Sequence, residues 1–340
     1  MSPHQPAQTV IDVHAHLMVP EVYAATSAHS LFVKSFADAT MSEAAKQNAA
    51  QRTAYVLRSM SDVNERIAKM DAMGVDMQVL SSSLVHQCSY WAEPAESLRL
   101  ERMFNDRIAQ VVLDNPCRFI GLGGVPLHAP TMAAAELVRC MTDLGLAGVG
   151  ISTMAGDMEI GDPTLRPFWA KAEELGAVVY IHPAGNADRR FQKFHLWNSI
   201  GQNFEEAMAI ASIMYEGILD AFPDLKICVS HGGGYMPLAL GRIARNYLEK
   251  PSTRANMSKS PAEYLRMLYY DTCVYEGEVL AHLVDRVGAD RVILGSDYPV
   301  GEMKPVEFVN SAPLSAADKQ KIVATNAMAL FGDHVPVRGH

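Results

Sequence analysis

Five side chains have the types and spacing to hold a divalent metal ion and to do acid–base work beside it. His14-Ala15-His16 closes a β-branched run, TVIDVHAH at 9–16. Residues two apart on a strand point the same way, so both imidazoles can share one face. His182 ends a second such run, His231 a third and Asp297 a fourth. Imidazole and carboxylate donors that leave a position for water suit a borderline cation such as Zn²⁺. Each residue also has a plainer reading. An isolated HxH on a strand is more often solvent-facing or a satisfied core pair. His231 before Gly232-Gly233-Gly234 fits a tight turn, and Asp297 before Tyr298-Pro299 fits a helix or turn cap. Together, at four strand ends, they predict a metal site. A two-metal version would need a bridging ligand, often a modified lysine at the end of the fourth strand. That strand ends Gly150-Ile151-Ser152-Thr153, with no Lys or Glu before Glu159, so one ion per chain is expected. His231, on a strand of its own, is the candidate for acid–base work on water or substrate.

Positioning these residues requires strands that end together. Short apolar runs recur along the chain: 9–16, MQVLSS at 77–82, FIGLGGVP at 119–126, AGVGIST at 147–153, VVYIHP at 178–183, KICVSHG at 226–232, LYYDTCV at 268–274 and RVILGSDYP at 291–299. They are continuous rather than alternating, as strands buried on both faces are. Segments of helical periodicity lie between them, such as SDVNERIAKMDAMG at 61–74 with its Ser or Asp cap and terminal Gly74. Eight such units predict an α/β fold, a (β/α)8 TIM barrel, whose active site forms where the strands end. An open doubly wound sheet is the competitor, but no Gly-rich phosphate fingerprint follows the first strand. The poorly periodic stretch at about 18–58 is expected to be an insertion in the first βα loop. A second long connection, 184–203, carries Arg189, Arg190, His195 and Trp197. No linker or shift in composition divides the chain, so residues 1–340 are expected to form one domain.

Composition narrows the partners. Hydrophobic residues make up 49% of the 340 and charged ones 20%, enough to bury a large core and to exclude global disorder. A net charge of −9 argues against nucleic acid. No apolar run approaches the roughly 18 residues that span a bilayer, and MSPHQPAQ lacks the basic and apolar regions of a signal peptide. The five scattered cysteines form no CxxC pair and no disulfide framework. A cytoplasmic protein with neither a membrane nor a nucleic-acid partner is expected.

IDVHAH, RIAKMDAMGVDMQVLS, SYWAEP, RFIGLGGVPLHAP, IHP, FPDLKICVSHGGG, LGRI and RVILGSDYP together resemble the amidohydrolase superfamily, in its branch of metal-dependent decarboxylases and hydratases. The resemblance runs from residue 11 to NAMALFG at 326–332. It implies metal ligands at His14, His16, His182 and Asp297, with His231 and Asp297 as the catalytic residues. It implies one divalent ion per chain, Zn²⁺ first, with Mn²⁺, Fe²⁺ or Co²⁺ as alternatives. Arg242, in LGRI, would clamp a substrate carboxylate from the neighbouring subunit of a homodimer. A second carboxylate-binding arginine in the first insertion falls on Arg52 or Arg58, and an aromatic substrate contact on Trp197. The implied reaction is non-oxidative decarboxylation of an unsaturated, carboxylated ring-cleavage product or a hydroxyaromatic acid. Ala184-Gly185-Asn186 and YYDTCVYEGEVL at 269–280 depart toward hydratases of the oxalomesaconate type, whereas Asp297 in place of Glu points back to decarboxylation. Hydration, or hydrolysis of a lactone or amide, is the alternative.

Overall fold

Seven of eight short strands carry valine, isoleucine or leucine, and the strands are buried because a helix layer covers them outside while their neighbours' side chains fill the inside. The structure, a computed structural model, describes residues 9–29, 43–82, 89–185, 188–191 and 193–336. The N-terminal segment 1–8, part of the 18–58 stretch, Cys88 and Asn186 lie outside these residues.

The strands are β1 (Ile11–Leu17), β2 (Met77–Ser82), β3 (Phe119–Gly123), β4 (Gly148–Ile151), β5 (Val178–Ile181), β6 (Lys226–Val229), β7 (Tyr269–Asp271) and β8 (Val292–Ile293). Each pairs in parallel with the next. Beyond β8 the chain closes the ring on β1: Val13 N donates to Leu294 O at 2.9 Å, Tyr298 N to His14 O at 3.1 Å and His16 N to Tyr298 O at 3.0 Å. This is the expected (β/α)8 barrel.

Two apolar layers follow from the alternation of side chains. An inner cluster contains Ile11, Val13, Met77, Val79, Ile120, Leu122, Val178, Tyr180, Cys228 and Ile293, and Ala327, Leu330 and Phe331 of the last helix join it. An outer cluster between strands and helices contains Ala15, Leu17, Leu80, Val179, Ile181, Val229, Tyr270 and Leu294. Asn326 holds the last helix in place by donating to the carbonyls of Ala289 and Val292, both at 2.7 Å.

β1 changes face part-way along. Its register against β2 shifts between Asp12 and Ala15, where two residues of β1 oppose one of β2. Ile11 and Val13 face inward before this bulge, and after it Ala15 and Leu17 face outward. The even-numbered His14 and His16 therefore turn into the barrel, the re-aiming that an extra residue produces.

The expected helix at 61–74 spans Val63–Met73, with Asp62 accepting from Glu65 N at 2.9 Å and Gly74 ending it at φ +71°. Within the stretch read as poorly periodic, residues 20–26 and 43–61 are helical. The longer of these helices is rich in small and polar residues and is exposed along 50–55, so its sequence carries no apolar period. A short hairpin, Met154–Ala155 with Met158–Glu159, follows β4 and was not expected. No helix among the described residues is long and apolar enough to cross a membrane.

Candidate metal centre

His14 and His16 of β1, His182 just after β5 and Asp297 after β8 converge where the strands end, all buried. One ligand atom from each lies within 4.8 Å of every other. The imidazoles meet edge to face, with ring centroids 5.1 Å apart for His14 and His16, 5.0 Å for His14 and His182, and 4.7 Å for His16 and His182.

Hydrogen bonds behind the ligands decide which ring nitrogen faces the centre. His14 Nδ1 lies 2.7 Å from Asp271 Oδ2, and His16 Nδ1 donates to the Ser82 carbonyl at 2.9 Å. Each ring therefore spends its Nδ1 proton outward and turns Nε2 inward. There the His14 and His16 Nε2 atoms stand 3.2 and 3.1 Å from the same Asp297 oxygen. In neutral rings these are acceptors pointed at an acceptor, an arrangement that a cation among them satisfies. His14 Nε2 has no hydrogen-bond partner although it is buried. Three nitrogens and a carboxylate oxygen are a donor set that Zn²⁺ and other first-row divalent ions accept.

The carboxylates and imidazoles of the site also shift one another's protonation. Burial pushes His14 down, but the Asp297 and Asp271 carboxylates more than offset it and hold it up at about 9. His182 is held well below its usual value by burial and by the His16, His14 and His231 imidazoles around it. Burial would raise Asp297, but His14, His16 and His231 hold it well below the usual carboxylate range.

The backbone is strained to make this site. Asp297 has φ +59° and His231 φ +48°, left-handed values that cost a non-glycine residue roughly 1–2 kcal/mol each. Gly295 solves a packing problem in the same turn: a Cβ there would come within 2.8 Å of Asp271 Cβ and 3.1 Å of His14 Cβ.

His231 stands beside the quartet but outside it. Its Nε2 is 3.8 Å from Asp297 Oδ2, and its ring lies 5.2 Å from His14 and 5.3 Å from His182. Its Nδ1 contacts Glu206 Oε1 at 2.5 Å. Burial would lower its pKa, but the Glu206 and Asp297 carboxylates outweigh burial and hold the ring well above its ordinary value.

The residues expected to contact substrate are placed less centrally. Arg52 and Arg242 are exposed, on the helices Glu43–Ser61 and Met236–Glu249. Arg58 is exposed and paired with Glu65 at 3.0 Å. Trp197 is buried at the start of a π-turn, Trp197–Gln202. Arg190 is paired with Asp188 at 2.6 Å.

Asp271, Glu206 and a buried network behind β1 escaped the sequence reading. Asp271 lies mid-way in LYYDTCV, at the end of β7, with the inward parity of Tyr269, so strand parity could have found it. Glu206 lies on a helix and gives no local signal. In the network, Asp12 accepts from Gln78 Nε2 at 2.9 Å, Ser296 N at 2.9 Å and Ser296 Oγ at 2.5 Å. Arg66, fully buried, donates to Gln78 Oε1 at 3.1 Å and to the His16 and Met60 carbonyls. The network ties β1 and the Asp297 turn to the helices Glu43–Ser61 and Val63–Met73.

A profile of the amidohydrolase family matches residues 11–332. The chain belongs to this family. Among similar proteins, this amidohydrolase is 37% identical over 277 residues to a 2-amino-3-carboxymuconate-6-semialdehyde decarboxylase of Dictyostelium discoideum, covering 80% of this chain and 77% of that one. A crystal structure of 5-carboxyvanillate decarboxylase from Sphingomonas paucimobilis matches with a TM-score of 0.82 and 28% identity, over 96% of this chain and 99% of that one. The fold is shared as well with a dihydroxybenzoic acid decarboxylase from a Polaromonas species, solved with bound manganese. That match has a TM-score of 0.82 and 23% identity, over 95% of this chain and 97% of that one.

Proposed function

We propose that this amidohydrolase is a metal-dependent carboxy-lyase. It removes CO₂ without oxidation from an unsaturated carboxylated ring-cleavage product or a hydroxyaromatic acid. The observation that carries the reading is the placement of His231, a proton carrier held 3.8 Å from a carboxylate of a three-histidine, one-aspartate centre. The relatives that are named as decarboxylases of carboxylated aromatics or ring-cleavage products support the substrate class.

His14, His16, His182 and Asp297 would hold one divalent ion, Zn²⁺ as first candidate, with Mn²⁺ a close alternative. When bound, such an ion supplies positive charge against the substrate's oxygens and favours the negative charge that builds up as the bond to carbon breaks. The chain's own residues do the rest. As the C–CO₂⁻ bond breaks, its electron pair stays on the substrate carbon and CO₂ leaves. His231 Nε2 delivers the proton that takes its place and is reprotonated from solvent. Asp297, with Oδ2 3.8 Å from His231 Nε2, favours the protonated ring by its charge. An arginine fork holds a carboxylate in bidentate fashion. We assign that role to Arg242, reaching from the neighbouring subunit of a homodimer, and to Arg52 in preference to Arg58, whose guanidinium Glu65 already engages. Trp197 is assigned to the substrate's apolar face, and the enzyme to the cytoplasm.

The test is elemental analysis of the purified protein together with CO₂ release and ultraviolet loss on a panel of carboxymuconate semialdehydes, oxalomesaconate and hydroxybenzoates. One ion per chain with CO₂ from a panel member supports the reading. A spectral change without CO₂ moves the assignment to hydration or hydrolysis at the same site. A metal-free protein whose activity chelators leave intact removes it.

A further inference from the structure

Glu206 has no part in metal binding in the reading above, yet it is completely buried directly behind His231. Its Oε1 accepts from His231 Nδ1 at 2.5 Å and from the Ser230 hydroxyl at 2.5 Å. Its Oε2 is buried with no hydrogen-bond partner. An unsatisfied buried carboxylate oxygen costs stability, which packing alone does not account for.

The chain is shaped on both sides to bring these groups together. The π-turn Trp197–Gln202 leads directly into the helix Asn203–Tyr215, and Glu206 lies in that helix's first turn. A π-turn inserts an extra residue and so changes which face the following turns present. On the other side, Gly232, Gly233 and Gly234 all have positive φ, +61°, +78° and +60°. A Cβ on Gly234 would lie 2.2 Å from the Asn203 carbonyl oxygen, so a side chain there would push the helix start away. The triple glycine is thus both a tight turn and the condition for Glu206 to reach His231.

We propose that Glu206 is the positioning residue of His231. Its Oε1 accepts a hydrogen bond from Nδ1–H and so fixes the ring's tautomer and rotation, leaving Nε2 facing Asp297 and the reacting carbon. This rests on the reading of His231 as the proton donor. An imidazole without such a partner can rotate or move its proton to the other nitrogen, and either change takes the proton away from the carbon that needs it. Glu206 does this without touching substrate or metal.

The variants Glu206→Ala, Glu206→Gln, His231→Ala and the double variant E206A/H231A test it, with CO₂ turnover, metal per chain and thermal melting as readouts. E206A is expected to lower kcat roughly 100-fold or more while KM and metal content stay near wild type. E206Q, which keeps an oxygen acceptor for Nδ1–H, recovers part of that loss and serves as the folded control if E206A melts early. The double variant is expected to be no slower than H231A, because Glu206 acts only through His231. Wild-type turnover in E206A and E206Q beside an inactive H231A overturns the proposal. So does a double variant slower than H231A by the full E206A factor. An H231A enzyme with wild-type turnover overturns the proton-donor reading itself, and it is seen in a variant that leaves Glu206 untouched.

Discussion

His14 Nδ1 lies 2.7 Å from Asp271 Oδ2, and that contact decides which nitrogen His14 offers to the centre. Asp271 is a hub: its oxygens also accept from Tyr180 OH at 3.0 Å, Gly232 N at 3.1 Å and Cys273 N at 3.0 Å. Burial would raise its pKa, but His14 and the surrounding donors hold it below the usual carboxylate value. The near-isosteric Asp271→Asn keeps the hub's shape but puts a neutral amide against Nδ1. Metal affinity should fall by about 10- to 100-fold, as for other partners behind metal-bound histidines. Titration of the metal-free variant with Zn²⁺ and Mn²⁺ checks this; unchanged affinity would show that Asp271 serves the fold alone.

His14→Ala and Asp297→Ala should each lose metal and turnover together, because three remaining donors bind far more weakly than four. His231→Ala should keep a full complement of metal and lose turnover. Metal analysis and CO₂ release on the same preparations separate the two outcomes, and metal loss in H231A would place His231 among the ligands.

Arg242→Ala should raise KM with metal content intact. If the guanidinium crosses to a neighbouring subunit, mixing R242A with H231A restores part of the activity. At best a quarter of the sites in a random mixture of dimers would combine an intact His231 with an intact Arg242 from the partner, by simple counting about the order expected for exchange across a two-fold axis. No recovery after verified subunit exchange would place the arginine in its own subunit's site.

Away from the centre, Glu101 should make stability depend on pH. Burial, together with the nearby Glu136 charge, raises it to about 7, although the Ser89 hydroxyl donates to it at 2.6 Å. The folded state thus holds the proton more tightly than the unfolded chain, where the value is near 4.5. Glu101's contribution therefore becomes steadily less favourable as pH rises from about 4.5 to about 7, then levels off. Relative to wild type, Glu101→Gln should gain stability across that window, by up to a few kcal/mol. Urea denaturation at pH 5, 6, 7 and 8 reads the difference directly.

Much of this was legible in the sequence because barrel strands are buried on both faces and end in small or polar residues. That made His14, His16, His182, His231 and Asp297 visible as strand-end residues, and the structure brings all five together. Glu206 was illegible because it lies on a helix that reaches His231 only through a π-turn and a glycine turn, neither of which has a hydrophobic period. The Arg66, Gln78, Asp12 and Ser296 network was missed for a related reason. Asp12 and Gln78 sit on the outer face of strands read as uniformly apolar, Arg66 on a helix and Ser296 beyond the end of β8, and only the fold brings them together. Arg52 and Arg242 are exposed on helices, and nothing in the sequence around them marks what they would meet.

The bulge in β1 has a consequence for anyone transplanting this centre onto another barrel. On a regular strand with Ile11 and Val13 facing inward, His14 and His16 would point into the helix layer, where neither Asp297 nor His182 could meet them. A graft of the His-Ala-His sequence alone would therefore reproduce the letters of the motif and none of its chemistry. What must be carried with it is a single additional residue, the offset that lets one strand serve as apolar filling below and as ligand platform above.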